Sequence, residues 1–305
     1  MKKPPYHDKK KKQTSHSFTV AEKNTLLRYL FAQLPQKSKK TVKAVLRDKQ
    51  IFVDGNPITQ FDHVINPGQH IEVHWEKRTP TQQPHGLSIV YEDEDLIIID
   101  KPSGLLTVAT DKEKRKTAYS ILSNYVKTQH VDNKIFIIHR LDRETSGLLM
   151  FGKNESVKHE IQKTWNTTVS KRTYVGVVEG RLKTATGTIT SWLQESKAFI
   201  VYSSQNPKHG HKAVTSYKVL KDNSMFSLLQ LNLQTGRKHQ IRVHMQEISH
   251  PIIGDKKYGS TLNPIRRMGL HAQVLEFTHP RTGKSCHFET AIPAAFHKLF
   301  SSTGK

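Results

Sequence analysis

Apolar and polar positions follow two periods along this chain. Between Thr25 and Trp75, Leu26, Leu27, Leu30, Phe31 and Leu34 recur at helical spacing, and Val42, Val45 and Leu46 form a second stripe behind an N-cap residue at Ser38. The pattern predicts two short helices. Ile51-Phe52-Val53 then meets Asp54-Gly55, a hairpin signal, and Ile71-Glu72-Val73-His74-Trp75 alternates as a strand after a turn at Pro67-Gly68. Past residue 86 strand-like runs dominate: 89–91, 96–99, 135–138, 147–151, 173–178, 187–193, 214–220, 226–233, 270–277 and 286–289. Helical patterns interrupt them near 117–129, 154–163, 237–248 and 293–300. Many strands with few helices between them predict an α+β fold on a large, mostly antiparallel mixed sheet, because a doubly wound α/β fold needs regular strand-helix alternation.

The same pattern divides the chain. Residues 1–17 are Lys-rich with almost no large apolar side chains, so they are expected to form a disordered basic tail. A small α/β domain over 18–76 follows, then a Pro- and Gly-bearing linker over 77–86 and a large domain over 87–305. The second predicted helix carries Lys39, Lys40, Lys43 and Arg47 opposite its apolar stripe, either a nucleic-acid contact or a solvated face.

Charge narrows the partners. With 48 Lys+Arg against 26 Asp+Glu, the formal net charge is +22, a field that attracts polyanions. No apolar run approaches the ~20 residues of a spanning helix, so RNA or DNA is expected rather than a membrane. The N-terminal lysines lead into more lysine instead of an apolar segment, which argues against a secretory signal and for the cytoplasm. A single cysteine, Cys286, leaves no internal disulfide or CxxC site and reads as a buried structural thiol.

The chemistry centres on His139-Arg140-Leu141-Asp142-Arg143-Glu144-Thr145-Ser146-Gly147-Leu148-Leu149, a charged segment between the apolar runs 135–138 and 148–151. Two arginines flank Asp142, and neighbouring cations favour an ionised carboxylate. That suits a nucleophile or an electrostatic stabiliser better than a general acid. By residue type alone a solvated loop with weak surface ion pairs is the favoured reading.

This segment resembles the signature of the RluA-type pseudouridine synthases, in which the Asp is catalytic. Ile89 to Gly104 resembles the family's opening motif, so that Glu92-Asp93-Glu94-Asp95 reads as a turn between strands rather than a metal site. Lys171-Arg172-Thr173-Tyr174 and Thr235-Gly236-Arg237-Lys238-His239-Gln240-Ile241-Arg242-Val243-His244 resemble two further motifs, and His250 to Gly259 with Leu270-His271-Ala272 extends the likeness over about 87–300. Residues 51–55 and 65–73 resemble the small S4-like RNA-binding domain, with Thr25-Leu26-Leu27 where that domain usually opens Arg-Leu-Asp and Gln69 where an Asp commonly follows the Gly.

The resemblance implies isomerisation of uridine in RNA to pseudouridine, without metal, nucleotide or redox cofactor. Asp142 would be nucleophile or charge partner, Arg242 would keep it ionised and aimed, and Tyr174 would stack on the uracil. Arg140 would fill the gap left by the flipped nucleotide, and Leu270 would touch the uracil or simply fill the core. Lys171, Arg237 and Lys238 are expected to meet RNA, the last two at a helix start whose free amides suit phosphate. An S4-like module ahead of the catalytic domain makes 23S rRNA the expected substrate and tRNA the alternative, with the protein acting as a monomer.

Other motifs do not hold. Gly283-Lys284-Ser285 ends like a P-loop, but Thr278 stands in the first glycine's place. No HExxH zinc motif occurs among the 18 histidines, and His209-Gly210-His211 reads as a loop. Two rivals remain: a non-catalytic RNA-binding or ribosome-assembly factor, which intact Asp142, Tyr174 and Arg242 argue against, and a metal-dependent RNA hydrolase joining Asp142 to the carboxylates at 92–95.

Overall fold

The computed structural model describes residues 15–48, 50–75 and 84–301. The basic tail up to residue 14, residue 76 and residues 77–83 of the linker lie outside the described residues. The chain divides into two compact units, Met1–Gln82 and Gln83–Lys305.

In the first unit, strands β1 (Ser15–Thr19), β2 (Asn24–Thr25), β3 (Ile51–Val53), β4 (Asn56–Pro57), β5 (Val64–Ile65) and β6 (His70–His74) accompany helices α1 (Leu26–Gln33) and α2 (Lys39–Arg47). The main sheet has the order β1-β6-β3-β4, and β2 pairs with β5. Ser38 caps α2 as expected, accepting from the Thr41 amide at 3.1 Å. Asp54 (φ 50°) and Gly55 (φ 79°) turn the β3–β4 hairpin in the left-handed geometry that a two-residue loop requires. Residues 15–17, assigned to the tail by their composition, instead belong to β1. His16 and Phe18 share one face there, where the Trp75 indole N–H donates to His16 and Phe18 packs on the core. A half-exposed edge strand carries too little hydrophobicity to be recognised from its residues.

The second unit contains β7 (Ser88–Glu92), β8 (Leu96–Lys101), α3 (Ala118–Gln129), β9 (Phe136–Ile137), β10 (Ser146–Gly152), α4 (Glu155–Lys163), α5 (Trp165–Thr168), β11 (Lys171–Glu179), β12 (Thr186–Glu195), β13 (Val201–Ser204), β14 (His211–Asp222), β15 (Phe226–Leu233), α6 (Gln240–Glu247), β16 (Leu270–Thr278), β17 (Ser285–Glu289) and α7 (Ala294–Lys298). Its sheet runs β13-β12-β14-β15-β11-β16-β10-β8-β7, with β17 beside β16 and β9 beside β10. All its pairings are antiparallel except β10 with β16. The architecture is therefore α+β on a large mixed sheet, as the strand pattern predicts.

Burial on both faces explains the unbroken apolar runs. Ile97, Ile99, Leu149 and Phe151 meet α3 through Ala118, Leu122 and Val126 on one side. Leu96, Ile98, Leu148 and Met150 meet α4 through Val157 and Ile161 on the other. Further along the sheet, Ile241 and Met245 of α6 pack on Val178, Leu229 and Leu231. Cys286 is half-buried at the edge of the second cluster, where burial pushes its thiol pKa up. Among the described residues no helix is long and apolar enough to cross a membrane.

The single parallel pairing depends on one glycine. Gly147 lies opposite Ala272 at φ 108°, and a Cβ there would stand 2.2 Å from the Ala272 carbonyl oxygen. Neither strand can yield, because each is hydrogen-bonded to a further neighbour. Gly147→Ala is expected to cost about 3 kcal/mol or more of stability, as strain and overpacking combined. Urea unfolding measures it, and an unchanged midpoint would show that the strands separate freely.

Candidate active site

The segment 139–145 is held at the end of β8 and β10 by buried groups on both sides of Asp142. Thr107 Oγ donates to the Leu141 carbonyl at 2.8 Å and accepts from the Leu141 amide at 3.2 Å. Lys101 is fully buried and donates to the carbonyls of Pro102, Leu105 and Arg143 at 3.0, 2.7 and 3.1 Å. Burial pulls its pKa down to about 8, against the fields of Glu144 and Asp142, so near neutral pH it remains mostly a cation with all three protons engaged. His139 accepts from the Met150 amide at 3.1 Å, which requires the neutral ring. Burial, with the Arg172 charge adding to it, pushes its pKa to about 3.

Asp142 thereby projects a partly exposed carboxylate toward α6. Arg242 donates to its Oδ2 at 3.0 Å. The same guanidinium grips the buried Asp255 through Nε at 2.6 Å and Nη2 at 2.8 Å. Burial alone would depress the Arg242 pKa, but its bonds to Asp255 and then Asp142 more than offset this and raise it. The Tyr258 ring lies 4.8 Å from that guanidinium, and the Tyr258 hydroxyl bonds His239 Nδ1 at 2.7 Å. His239 Nε2 stands 3.8 Å from Asp142 Oδ1. Burial holds the His239 pKa at about 4 despite the Asp142 charge, so the two do not form an ion pair at neutral pH.

The flanking arginines are not the partners of Asp142. Arg143 turns back to the Gly104 carbonyl at 3.1 Å and toward Glu144, while Arg140 is exposed and makes no ion pair among the described residues. The cation that meets Asp142 comes from 100 positions away, since a short loop cannot fold long side chains back onto its own apex while both ends are pinned.

Tyr174 lies on β11 opposite Ala272 and packs against the clusters on either side of the site. Burial, reinforced by the field of Asp142 and opposed by Arg172, raises its pKa to about 12, so the phenol keeps its proton at neutral pH. Leu270 is buried in the cluster that Tyr174 touches. Lys171 points to Glu276 at 3.3 Å, away from Tyr174, because strand residues an odd number of positions apart face opposite sides. Arg172 shares the face of Tyr174. Its guanidinium lies 5.5 Å from the Trp165 ring and fills the space that a Cβ on Gly236 would occupy, with no carboxylate partner among the described residues. Strand periodicity carries that signal, since Arg172 and Tyr174 are two residues apart.

The turn before α6 differs from the expected helix start. The helix begins at Gln240, and its N-cap His239 is left-handed at φ 55°. The buried Gln240 side chain accepts from the Arg237 amide at 3.0 Å and from Thr235 Oγ at 2.8 Å, so that amide is not free for phosphate. Arg237 Nε donates to the Lys212 carbonyl at 3.1 Å, and Lys238 pairs with Glu195. Lys39, Lys40, Lys43 and Arg47 belong to the other unit, all exposed on α2, with Arg47 paired to Asp48 at 2.9 Å.

The carboxylates at 92–95 form the β7–β8 turn, where Asp93 accepts from the amides of Asp95 and Leu96. Asp93, Asp95 and His279 converge closely enough to suggest a metal cluster. Protein donors already take these oxygens: Tyr91 and His279 on Asp93, Asn154 and Arg281 on Asp95. The six residues of β8 separate this turn from the Asp142 segment by roughly 17 Å, too far for carboxylates to share a metal.

A partly exposed, ion-paired carboxylate, a protonated phenol and two guanidinium groups, Arg140 and Arg172, with no carboxylate partner among the described residues form a site suited to polyanion chemistry. The human RNA pseudouridylate synthase domain containing 4 has the same fold, with a TM-score of 0.56 at 21% identity, over 69% of this chain and 92% of that one. The RNA pseudouridylate synthase family model matches residues 95–247. The chain is 34% identical over 278 residues to the RNA pseudouridine synthase YlyB of Bacillus subtilis, covering 88% of this chain and 90% of the relative. It is 30% identical over 281 residues to ribosomal large subunit pseudouridine synthase D of Escherichia coli, covering 87% and 86%. The chain belongs to the RNA pseudouridine synthase family, enzymes that isomerise uridine in RNA to pseudouridine.

Four histidines whose pKa is lowered by burial tie the stability of this unit to pH. Burial lowers His139 to about 3 and His239, His244 and His271 to about 4. Unfolded histidine titrates near ~6.5. Between that value and about 4, the unfolded chain binds more protons than the folded one, so stability is full above pH 6.5 and falls as pH drops through the window. The melting temperature is expected to fall steeply from about pH 7 to pH 5, and a flat profile would contradict the neutral, buried assignment.

Proposed function

We propose that this chain is an RluA-type synthase acting on large-subunit ribosomal RNA, with Asp142 as its catalytic residue. The observation that carries the reading is the chain of contacts from Asp142 through Arg242 to the buried Asp255. In the reaction the bond between N1 and the ribose breaks, the uracil turns, and C5 bonds the ribose in its place. C5 loses a proton and N1 gains one, so the step consumes neither water nor oxidant. Asp142 acts at the reacting centre as nucleophile or base, and Arg242 fixes its direction. Tyr174, with its pKa near 12, offers the uracil a neutral aromatic face and a hydroxyl that donates. Leu270 supports that face from beneath. Arg140 takes the space vacated by the flipped base, and Arg172 pairs with a phosphate beside the target, as a planar guanidinium is suited to do.

The ribosomal substrate is supported by the name of the Escherichia coli relative. Pseudouridine mapping by carbodiimide-stop primer extension on 23S rRNA and total tRNA tests both parts of the reading. Deleting the gene should remove a stop in 23S rRNA, which wild type restores and Asp142→Ala does not. A restored stop with Asp142→Ala would remove Asp142 from the chemistry, and a lost stop in tRNA alone would replace the substrate.

The first unit is proposed as an S4-like RNA-binding module. The support is two adjacent helices packed on a small sheet and three exposed lysines, Lys39, Lys40 and Lys43, on one of them. Each phosphate contact to single-stranded RNA contributes about −0.7 to the slope of log affinity against log salt. Changing the three lysines to Glu in the full chain should therefore flatten the slope by about 2. An unchanged slope would show a solvated helix face.

A further inference from the structure

The turn between β12 and β13 exposes an aromatic ring in a conformation that favours glycine. Phe199 has φ 58°, and 70% of its surface is accessible. The turn is nonetheless well held. The Phe199 amide donates to the Ser196 carbonyl at 2.9 Å, the Ser196 amide donates to Ile200 at 2.8 Å, and Lys257 donates to the Phe199 carbonyl at 2.7 Å. The Lys238 ammonium stands 5.8 Å from the ring centroid, and Lys197 is exposed two residues away. A left-handed phenylalanine with an exposed ring contributes nothing to the core and is strained where glycine would be relaxed. Folding stability gives no reason for either feature.

The turn also reaches the Asp142 site through a short chain of contacts. The amide of Val201, two residues beyond Phe199, donates to the Tyr258 hydroxyl at 3.2 Å. That hydroxyl bonds His239, and the Tyr258 ring lies against Arg242. The turn that carries the Phe199 ring is thus tied to the margin of the Asp142 site, with Lys197, Lys238 and Lys257 around it.

We propose that Phe199 is a stacking platform for an unpaired base of the RNA that flanks the target uridine. A base next to an extruded nucleotide loses one stacking neighbour, and an aromatic ring replaces it whatever the base identity. The surrounding lysines favour RNA over an apolar protein segment as the occupant, since Lys197, Lys238 and Lys257 give the turn a positive field that a phosphate backbone complements and an apolar peptide does not. The assignment rests on the RNA pseudouridine synthase activity of the family.

The test is the affinity of the full-length protein for a fluorescein-labelled, single-stranded oligouridylate, measured by anisotropy across a range of salt. Phe199→Ala should weaken binding about tenfold or more, the scale of losing one stacked base, with the salt slope unchanged. Phe199→Tyr and Phe199→Trp should retain affinity, and the added indole should be quenched by bound RNA. Phe199→Gly separates binding from folding, because it relieves the positive φ and should raise the melting temperature while weakening RNA binding as the alanine does. Wild-type affinity in both the alanine and glycine variants would overturn the proposal and turn the ring toward a protein partner. A flattened salt slope in Phe199→Ala would also overturn it, since the loss would then lie in displaced lysines. Pseudouridine formation by the wild-type protein on total RNA, run alongside, distinguishes failure of this assignment from failure of the synthase reading.

Discussion

One guanidinium shared by two carboxylates governs the geometry of the site. Arg242 commits Nε and Nη2 to the buried Asp255, and this bidentate grip fixes the plane of the group. Nη1 is left pointing at Asp142. A lysine could not divide its donors in this way, because its ammonium has no plane to hold. Asp255 is 3% exposed, so losing Arg242 would leave a charge uncompensated in a poorly solvated place. The arrangement is therefore held by the cost of breaking it. Packing of the Tyr258 ring against Arg242 adds a further restraint.

The sheet exists in the form that this contact demands. Asp142 leaves a loop between β9 and β10, Arg242 sits in the first turn of α6, and Asp255 lies in the connection to β16. The parallel pairing of β10 with β16 sets the end of the Asp142 loop beside the strand that follows this connection, and Gly147 makes it sterically possible. Lys101 and Thr107 then hold the loop from beneath by its carbonyls. Rigid support from backbone acceptors leaves the side chains of Arg140 and Asp142 available above it.

Periodicity carried the fold well. Apolar runs buried on both faces are recognisable as strands, so β8, β10, β11 and β15 stand where the residues predict them. Periodicity fails for short elements: residues 15–17 of β1 carry a tail-like composition, and β13 follows the brief apolar run 198–202, too short to show a period. The start of α6 shifted by three residues because Gln240 caps the turn with its own side chain, a contact that residue type does not announce. Asp142, Tyr174 and Arg242 were all visible as motif residues. Their partners were less so: Asp255, Tyr258, Lys101 and Thr107 act across intervals of many residues and resemble ordinary polar positions until the chain is folded. Of the two basic residues at the start of β11, alternation along the strand places Arg172, not Lys171, on the face of Tyr174.

What the sequence determined by itself was the class of fold, the basic character that suits RNA, and the short motif segments from which the site is proposed. Those properties are local, because burial pattern, charge and motif are read over a few residues at a time. Only the tertiary structure decided which cation meets Asp142, which way the arginines beside it turn, and that the acidic turn at 92–95 is remote from it. Those are properties of distance, and distance between residues far apart in the chain is set by how strands pair and helices pack.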